Sequence, residues 1–213
     1  MNLGQLGAID YPSASAPEAL VVLAHGAGAG QKHPFMIATA RGLAVRGFDV
    51  VTFDFPYMAQ KRRAPDRAPA LEQSFREVID AGRQWSRARH LFIGGKSMGG
   101  RIATHLAAQQ LDGLQGVFAL GYPLHPPGKP EQLRSAHLPD ITAAVLIVQG
   151  ERDTFGTPTE LEPVIAAMNA PVTLHVVEGG DHSLAIRGKK GAGPSDAVLD
   201  VIAAWLRLRS APA

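Results

Sequence analysis

The stretch FIGGKSMGGR, at residues 92–101, contains residue types that can do two kinds of chemistry. Its Gly-Lys-Ser could belong to a phosphate-binding loop, whereas Gly95-Lys96-Ser97-Met98-Gly99 matches the G-x-S-x-G pattern of a nucleophilic serine. A phosphate-binding loop needs a glycine where this chain has His90, because that glycine lets main-chain N–H groups curl around the phosphate. The sequence therefore favours a nucleophilic Ser97, held in a sharp turn between a strand and a helix.

A serine hydroxyl becomes a strong nucleophile only when a base takes its proton and an acid orients that base. Asp153 follows one apolar run downstream of Ser97, and His182 follows the last apolar run in a glycine-rich loop. The order Ser97, Asp153, His182 is the order serine, acid, histidine that is known for one class of α/β enzymes. We therefore predict Ser97 as the nucleophile, Asp153 as the acid and His182 as the base. Asp54 and Asp181 are alternative acids, although Asp181 would need a sharp turn to face the Nδ1 atom of the adjacent histidine.

Acyl transfer also needs N–H donors that bind the oxyanion of the tetrahedral intermediate. Met98, directly after the candidate nucleophile, is predicted to supply one main-chain N–H. The glycine-rich loop at residues 24–30 follows an earlier apolar run, and we predict Ala27 as the second donor, with Gly28 as the alternative. The same loop partly matches a G-x-G-x-x-G dinucleotide fingerprint, but a glutamine stands where the third glycine belongs. His25 precedes the turn, so we interpret it as a structural ligand of its own loop.

Short apolar runs that end in turn residues must position these groups, and they predict strands buried on both faces of a parallel sheet. The predicted strands are Leu20 to Ala24, Val50 to Phe53, His90 to Ile93, Val117 to Leu120, Ala144 to Val148 and Val172 to Val177. The predicted helices are Pro34 to Arg46, Ala70 to Arg87, Met98 to Gln110, Thr157 to Met168 and Ser195 to Leu208. This alternation predicts an α/β fold with a doubly wound, mostly parallel sheet, whose strand ends gather the candidate residues.

Length and composition limit the remaining possibilities. The chain has 213 residues, of which 46% are hydrophobic and 19% charged, so we expect one domain over residues 1–213. The proline-rich loop from Tyr122 to Asp140 is too short for a cap domain, which predicts a minimal cap and an open site. A net charge of +2 without a dense basic face argues against a nucleic-acid partner.

The chain has no cysteine, which excludes disulfides, thiolate metal sites and a cysteine nucleophile. Its eight histidines show no spacing typical of a metal site, so we expect neither a metal nor another cofactor. The first residues, MNLGQLGAIDYP, lack the basic start and apolar core of a signal peptide, and no run of about 18 apolar residues occurs. We therefore expect a cytoplasmic protein without a membrane partner.

Six stretches together resemble one superfamily: LAHGAGAG, HPFM, FDFPYM, GGKSMGGR, QGERD and GGDHS. They resemble the α/β-hydrolases, in particular small uncapped members of the dienelactone-hydrolase-like group, and are similar to bacterial relatives of the NSL-complex-subunit-type hydrolase-like proteins. The resemblance covers about Leu20 to Leu206, and it implies the α/β-hydrolase fold with Ser97, Asp153 and His182 in the catalytic roles. Dienelactone hydrolases proper use a cysteine nucleophile, so their lactone substrates are not implied for this chain.

The predicted function is a serine hydrolase that acts on small acyl esters or thioesters. Two alternatives stay open: a scaffold or binding protein that keeps the hydrolase fold, since some eukaryotic relatives are complex subunits, and a small peptidase or amidase.

Several residues near the motif have a functional and a structural interpretation. Lys96 and Arg101 could attract an anionic substrate, although Lys96 could equally be solvated or paired with a carboxylate. The basic run Lys61-Arg62-Arg63 fits a solvated loop better than a carboxylate or phosphate clamp. A set of large side chains could form apolar walls beside the nucleophile or could simply pack in the core: Phe55, Tyr57, Met58, Tyr122 and Leu124.

Overall fold

One seven-stranded sheet organises the computed structural model, which describes residues 1–188, 191 and 193–210. The strands in chain order are β1 (Ile9–Tyr11), β2 (Leu20–Ala24), β3 (Asp49–Phe53), β4 (Leu91–Lys96), β5 (Leu114–Leu120), β6 (Ala144–Gly150) and β7 (Val172–Val177). Their order across the sheet is β1-β3-β2-β4-β5-β6-β7. Strand β1 is antiparallel to β3 and the other pairs are parallel, which confirms the predicted doubly wound, mostly parallel sheet.

Helices cover both faces of this sheet. They are α1 (Pro34–Ala44), α2 (Pro56–Ala59), α3 (Ala68–Trp85), α4 (Met98–Ala108), α5 (Pro158–Ala166) and α6 (Asp196–Ser210), with a 3₁₀ turn at Leu138–Asp140. Helices α1 and α6 pack on one face, and α3 and α4 pack on the other. Each helix predicted from the sequence is present, with ends within two residues of the predicted bounds, and helix ends are the least sharply defined parts of such elements.

The strands explain why the apolar runs in the sequence are continuous. In β2, Val21 and Leu23 face the core under α1 and α6, whereas Leu20 and Val22 face the core under α3 and α4. All of them are buried, because successive strand residues point to opposite faces and both faces are covered.

Strands β5 and β6 extend two or three residues beyond their predicted bounds, and two further features of the sheet were not predicted. Strand β1 has only three residues and lies at the edge of the sheet, where it pairs with β3. A segment this short shows almost no periodic pattern of apolar residues. Strand β4 continues through Gly94 and Gly95 to Lys96, although glycine is depleted in strands. The glycine at 94 leaves room for a neighbour, because a Cβ there would lie 2.7 Å from the ring of Phe118.

The segment at residues 122–140 is a loop with one short 3₁₀ turn, as predicted, and forms no cap domain. The expected domain over residues 1–213 includes positions 189, 190, 192 and 211–213, which lie outside the described residues. Within the part of the chain that the structure describes, no helix has both the length and the apolarity that crossing a bilayer requires.

Candidate active site

Ser97 lies at the junction of β4 and α4 in a backbone conformation that is rare for a residue with a side chain. Its φ is 51° and its ψ is −116°, and such conformations cost about 1–3 kcal/mol. The surrounding structure holds the turn, because Ser97 N–H donates to the carbonyl of Leu120 (3.0 Å) and the Ser97 carbonyl accepts from Arg101 N–H (3.0 Å). The sharp strand–turn–helix predicted for this motif is therefore present.

Glycines on both sides of Ser97 make this turn possible. A Cβ at Gly95 would lie 2.5 Å from the carbonyl oxygen of Ala24, and a Cβ at Gly99 would lie 2.3 Å from the same atom. A third close approach involves Gly100, whose Cβ would lie 2.7 Å from the Gly95 carbonyl. Side chains at 95 and 99 would therefore collide with the main chain of β2, and glycine avoids both collisions.

A chain of hydrogen bonds joins the three residues that the sequence analysis singled out. Ser97 Oγ lies 2.8 Å from His182 Nε2, and His182 Nδ1 lies 2.8 Å and 3.0 Å from the two carboxylate oxygens of Asp153. Because the carboxylate can only accept, we assign the ring proton to Nδ1. Nε2 is then the acceptor for the Ser97 hydroxyl.

The carboxylate of Asp153 is 1% exposed and has hydrogen-bond donors on both oxygens. Oδ1 accepts from the Phe155 N–H (2.8 Å), and Oδ2 accepts from the side-chain amide of Gln149 (2.8 Å). The same amide donates to the Gly156 carbonyl (2.6 Å), while its oxygen accepts from Tyr122 N–H (2.7 Å). Gln149 thus joins the loop after β5 to the loop between β6 and α5, beneath the acid. Sequence reasoning missed this role, although a polar residue inside a buried strand was a signal that could have revealed it.

The imidazole and the backbone of His182 are held separately. Its ring stacks on Phe155, with ring centroids 4.1 Å apart and planes at 28°. The ammonium group of Lys96 donates to the His182 carbonyl. Gly121, at φ 67°, leaves space for this contact, because a Cβ there would lie 2.6 Å from the His182 carbonyl oxygen and 3.0 Å from Lys96 Nζ.

The two alternative acids make other contacts. Asp181 accepts from the N–H groups of Ser183 (2.7 Å) and Ala185 (3.1 Å) and so shapes the loop that carries the base. Asp54 accepts from the N–H of Gln31 (2.7 Å). Neither contacts the imidazole of His182 in the way that Asp153 does.

His25 is completely buried at the start of the loop after β2. Its Nδ1 lies 2.8 Å from the Gly26 carbonyl, and its Nε2 accepts from the Phe55 N–H (3.0 Å). Burial lowers its pKa, which favours the neutral ring that these two contacts require. The interpretation of His25 as a ligand of its own loop is confirmed.

The two predicted oxyanion donors come from loops that meet beside Ser97. Gly26 lies against the nucleophile, because a Cβ there would lie 3.4 Å from Ser97 Cβ. Ala27, the next residue, and Met98, the first residue of α4, both line the cavity into which Ser97 opens. Both residues predicted as donors thus line the same cavity as Ser97.

The cavity at Ser97 has a volume of about 700 Å³. Its apolar walls are formed by a set of side chains from several loops and helices: Phe35, Met36, Leu71, Pro123, Phe155 and Ala185. The side chains considered as walls from the sequence do not line it; Phe55, Tyr57, Tyr122 and Leu124 are buried in the core, and Met58 packs against that core. The structure therefore favours the packing interpretation for that set.

The basic residues near the motif separate into two groups. Lys96 and Arg101 both line the cavity. Burial lowers the pKa of Lys96 to about 8, although Asp153 and Asp181 nearby favour its charged form. The run at residues 61–63 is exposed and does not line the cavity, and Arg62 pairs with Asp66 (2.7 Å). The solvated-loop interpretation of that run is therefore favoured.

Taken together, the site has a hydroxyl next to an imidazole, a buried carboxylate behind that imidazole, and Ala27 and Met98 in the lining of the same cavity. Such a set can transfer a proton from serine to histidine while the serine oxygen attacks a carbonyl carbon.

A family model described as an alpha/beta hydrolase domain matches residues 17–208. Similar solved structures include an alpha-beta serine hydrolase homologue from Coxiella burnetii, with a TM-score of 0.71 and 16% identity over 96% of this chain and 91% of that one. Est1E from Butyrivibrio proteoclasticus with bound ferulic acid has a TM-score of 0.73 and 13% identity, covering 94% and 92%. A dienelactone hydrolase from Anabaena variabilis has a TM-score of 0.69 and 18% identity, covering 93% and 89%. These similarities agree with the α/β-hydrolase fold expected from the sequence.

Proposed function

Because the chain belongs to the alpha/beta hydrolase domain family, we propose that it is a serine hydrolase that cleaves small acyl esters or thioesters through an acyl-enzyme on Ser97. The observation that carries the proposal is the 2.8 Å contact between Ser97 Oγ and His182 Nε2, with Asp153 behind the imidazole. The esterase and the dienelactone hydrolase among the similar structures support ester chemistry on this fold.

In the acylation step, His182 Nε2 takes the Ser97 hydroxyl proton while Oγ forms a bond to the carbonyl carbon. The main-chain N–H groups of Ala27 and Met98 bind the resulting oxyanion, and each such donor contributes about 3–4 kcal/mol to stabilising the transition state. Collapse of the intermediate breaks the bond to the alcohol or thiol. The leaving group takes the proton from His182 and departs, leaving the acyl group on Ser97.

Deacylation repeats these steps with water. His182 takes a proton from the water, the hydroxide oxygen attacks the acyl carbon, and Ser97 Oγ regains its proton as the carboxylic acid leaves. Asp153 accepts the Nδ1–H bond throughout and stabilises the charged imidazolium without taking the proton.

A fluorophosphonate probe tests whether the serine is activated. We expect the probe to label the wild type and not Ser97→Ala, because only an activated serine displaces its fluoride. Ser183→Ala, at an exposed loop position beside the base, is the matched control and should still be labelled. A folded wild type without label would contradict the proposal and favour the scaffold alternative.

A panel of substrates with the same acyl group tests the bond that is cleaved. We expect turnover of ethyl esters and of ethyl thioesters of short acids, and little turnover of the corresponding anilides, because residues 122–140 form no cap domain that would enclose an amide substrate. Faster cleavage of the anilides would favour the amidase alternative. We also propose that residues 1–213 act as one cytoplasmic domain on small molecules, without a nucleic-acid or membrane partner.

A further inference from the structure

Two arginines line the cavity at Ser97 and have no part in the proposed chemistry. Arg101 lies on α4, one helical turn after Ser97, so the two residues share one face of the helix. Arg101 lines the same cavity as Ser97, and its guanidinium lies beside His105 on the next turn of the helix. Arg134 reaches the same cavity from the loop between β5 and β6. The cavity therefore combines an acyl-transfer centre with two guanidinium groups.

Neighbouring groups hold the main chain of Arg134 and the guanidinium of Arg101. The main-chain N–H of Arg134 donates to the Leu124 carbonyl (2.7 Å), and the main-chain carbonyl of Arg134 accepts from the Tyr122 hydroxyl (2.7 Å). The Arg101 guanidinium lies 3.4 Å from His105 Nε2, whose Nδ1 lies 2.9 Å from a Glu72 oxygen. With the proton on Nδ1, this histidine donates to Glu72 and accepts from Arg101, so it orients the guanidinium without neutralising it.

The charges of the two arginines have no direct counter-ion. Among residues 1–188, 191 and 193–210, the ion pairs within 4.0 Å do not include Arg101 or Arg134. Burial is the main cause of the lowered pKa of Arg101; the positive charge of Arg134 acts in the same direction, whereas Tyr122 and Glu72 act against it. The two arginines therefore repel each other, and Glu72, which contacts His105 rather than Arg101, offsets only part of that repulsion. The acid that lines the cavity, Asp66, is paired with Arg62. Two half-buried positive charges in one cavity wall destabilise the folded protein unless an anion binds between them.

We propose that Arg101 and Arg134 form a subsite for an anionic group, so that the preferred substrates carry a carboxylate or a phosphate several bonds from the scissile carbonyl. This inference rests on the proposed function and narrows its substrate class. A planar guanidinium donates two parallel hydrogen bonds to a carboxylate or phosphate, and both anions satisfy the same donors. The apolar walls then contact the methylene chain between the anion and the reacting carbon.

The substrates that test this subsite differ at one end only. Monoethyl glutarate carries a carboxylate, ethyl 4-phosphonobutanoate carries a phosphonate at the corresponding position, and ethyl 5-methylhexanoate has an isopropyl group in place of the carboxylate. We expect the wild type to have a kcat/KM for one or both charged esters about 10- to 100-fold above that for the neutral ester, because a buried guanidinium bond to an anion is a strong one. The ester that is preferred identifies the anion.

Variants connect this preference to the two residues. Arg101→Met and Arg134→Met should each reduce the ratio of charged to neutral kcat/KM by about tenfold or more, and Arg101→Lys should retain part of it. Arg89→Met is the matched control, since Arg89 is exposed in the loop before β4, at the opposite end of the strand from Ser97, and should leave the ratio unchanged. Circular dichroism and the Tm of each variant show whether it has folded.

Equal kcat/KM values for the charged and neutral esters would overturn the subsite and leave the proposed function intact. A preference for the charged esters that persists in both Arg101→Met and Arg134→Met would have the same meaning. If no ester is cleaved and the fluorophosphonate probe does not react, the proposed function fails instead. An NMR titration of Ser97→Ala with monoethyl glutarate and with ethyl 4-phosphonobutanoate then measures binding of the anion at the subsite without hydrolysis. Binding that is lost when Arg101→Met is added supports the subsite, and absence of binding overturns it.

Discussion

The ammonium group of Lys96 donates a hydrogen bond to the main-chain carbonyl of His182. The residue before the candidate nucleophile thus holds the backbone of the candidate base, across 86 positions of sequence. The ammonium group of Lys96 also lies 5.8 Å from the centre of the Phe35 ring. We infer that Lys96 is a positioning residue, because it acts on the imidazole only through the loop that carries it.

Replacing Lys96 by methionine removes this bond and keeps an unbranched side chain that is one heavy atom shorter. We expect Lys96→Met to lower kcat by about 10- to 100-fold with a smaller change in KM, since a small displacement of the base is costly in such a site. Steady-state kinetics with a short-chain ester and the rate of fluorophosphonate labelling measure this effect. Lys129→Met, at an exposed loop position, is the control. If both variants lost activity equally, a general charge effect would explain the result and the positioning role would be wrong.

The lowered pKa of Lys96 makes its contribution to stability depend on pH. The folded value of about 8 lies below the ordinary value of 10.5, so between these two pH values the unfolded chain binds more protons than the folded one. The free energy of unfolding contributed by this group therefore rises as pH increases through that window, by at most about 3 kcal/mol. Urea unfolding of the wild type and Lys96→Met at pH 7 and at pH 10 measures it.

In that experiment the wild type should gain stability relative to Lys96→Met on going from pH 7 to pH 10. Other groups that titrate in this range are common to both proteins and cancel in the difference. A difference that stays constant, or that changes in the opposite direction, would show that burial does not disfavour the charged form of Lys96.

The two neighbouring carboxylates at the site should respond very differently to the same substitution. Asp153 bonds to His182 Nδ1, so Asp153→Asn should lower kcat by about 10⁴-fold, because an amide can hold the imidazole in the wrong tautomer. Asp181 accepts only N–H groups of its own loop among the contacts described, and the amide oxygen in Asp181→Asn can still accept them. Pre-steady-state and steady-state rates with one ester compare the two variants. A larger loss for Asp181→Asn would reverse the assignment of the acid.

The sequence could predict the sheet and the proposed catalytic residues because both depend on local patterns. Ser97 needs glycines at fixed neighbouring positions, and Asp153 and His182 each follow a strand, so their order along the chain carries the information. The cavity walls depend on tertiary packing instead. Phe35 lies at the start of α1 and Phe155 in a loop, and no spacing relates them to the nucleophile. Tyr122, which the sequence analysis considered as a wall, is instead buried in the core.

Gln149 connects the acid to the loops around it, and its loss should affect stability and rate together. In Gln149→Leu, the carbonyl of Gly156 and the N–H of Tyr122 lose their side-chain partner in a buried place, and each unsatisfied group costs about 1–3 kcal/mol. We expect a lower free energy of unfolding and a lower kcat, measured by urea unfolding and ester hydrolysis. Gln84→Leu, on the exposed surface of α3, should change neither by a comparable amount. A stable and fully active Gln149→Leu would contradict this role.

Gly121 and Gly128 provide a matched pair that separates backbone strain from a collision at the site. Their φ values are 67° and 71°, so an alanine at either position costs about 1–2 kcal/mol in the left-handed conformation. A Cβ at Gly128 meets nothing within 4 Å, whereas a Cβ at Gly121 lies 2.6 Å from the carbonyl oxygen of His182. Gly128→Ala should therefore lose only the strain energy and keep its activity. Gly121→Ala should lose more stability and also kcat, because the added methyl group displaces the backbone of the base and the ammonium of Lys96. Urea unfolding and ester kinetics on both variants test this, and equal losses in the two would mean that the close approach of Gly121 to His182 has no effect on catalysis.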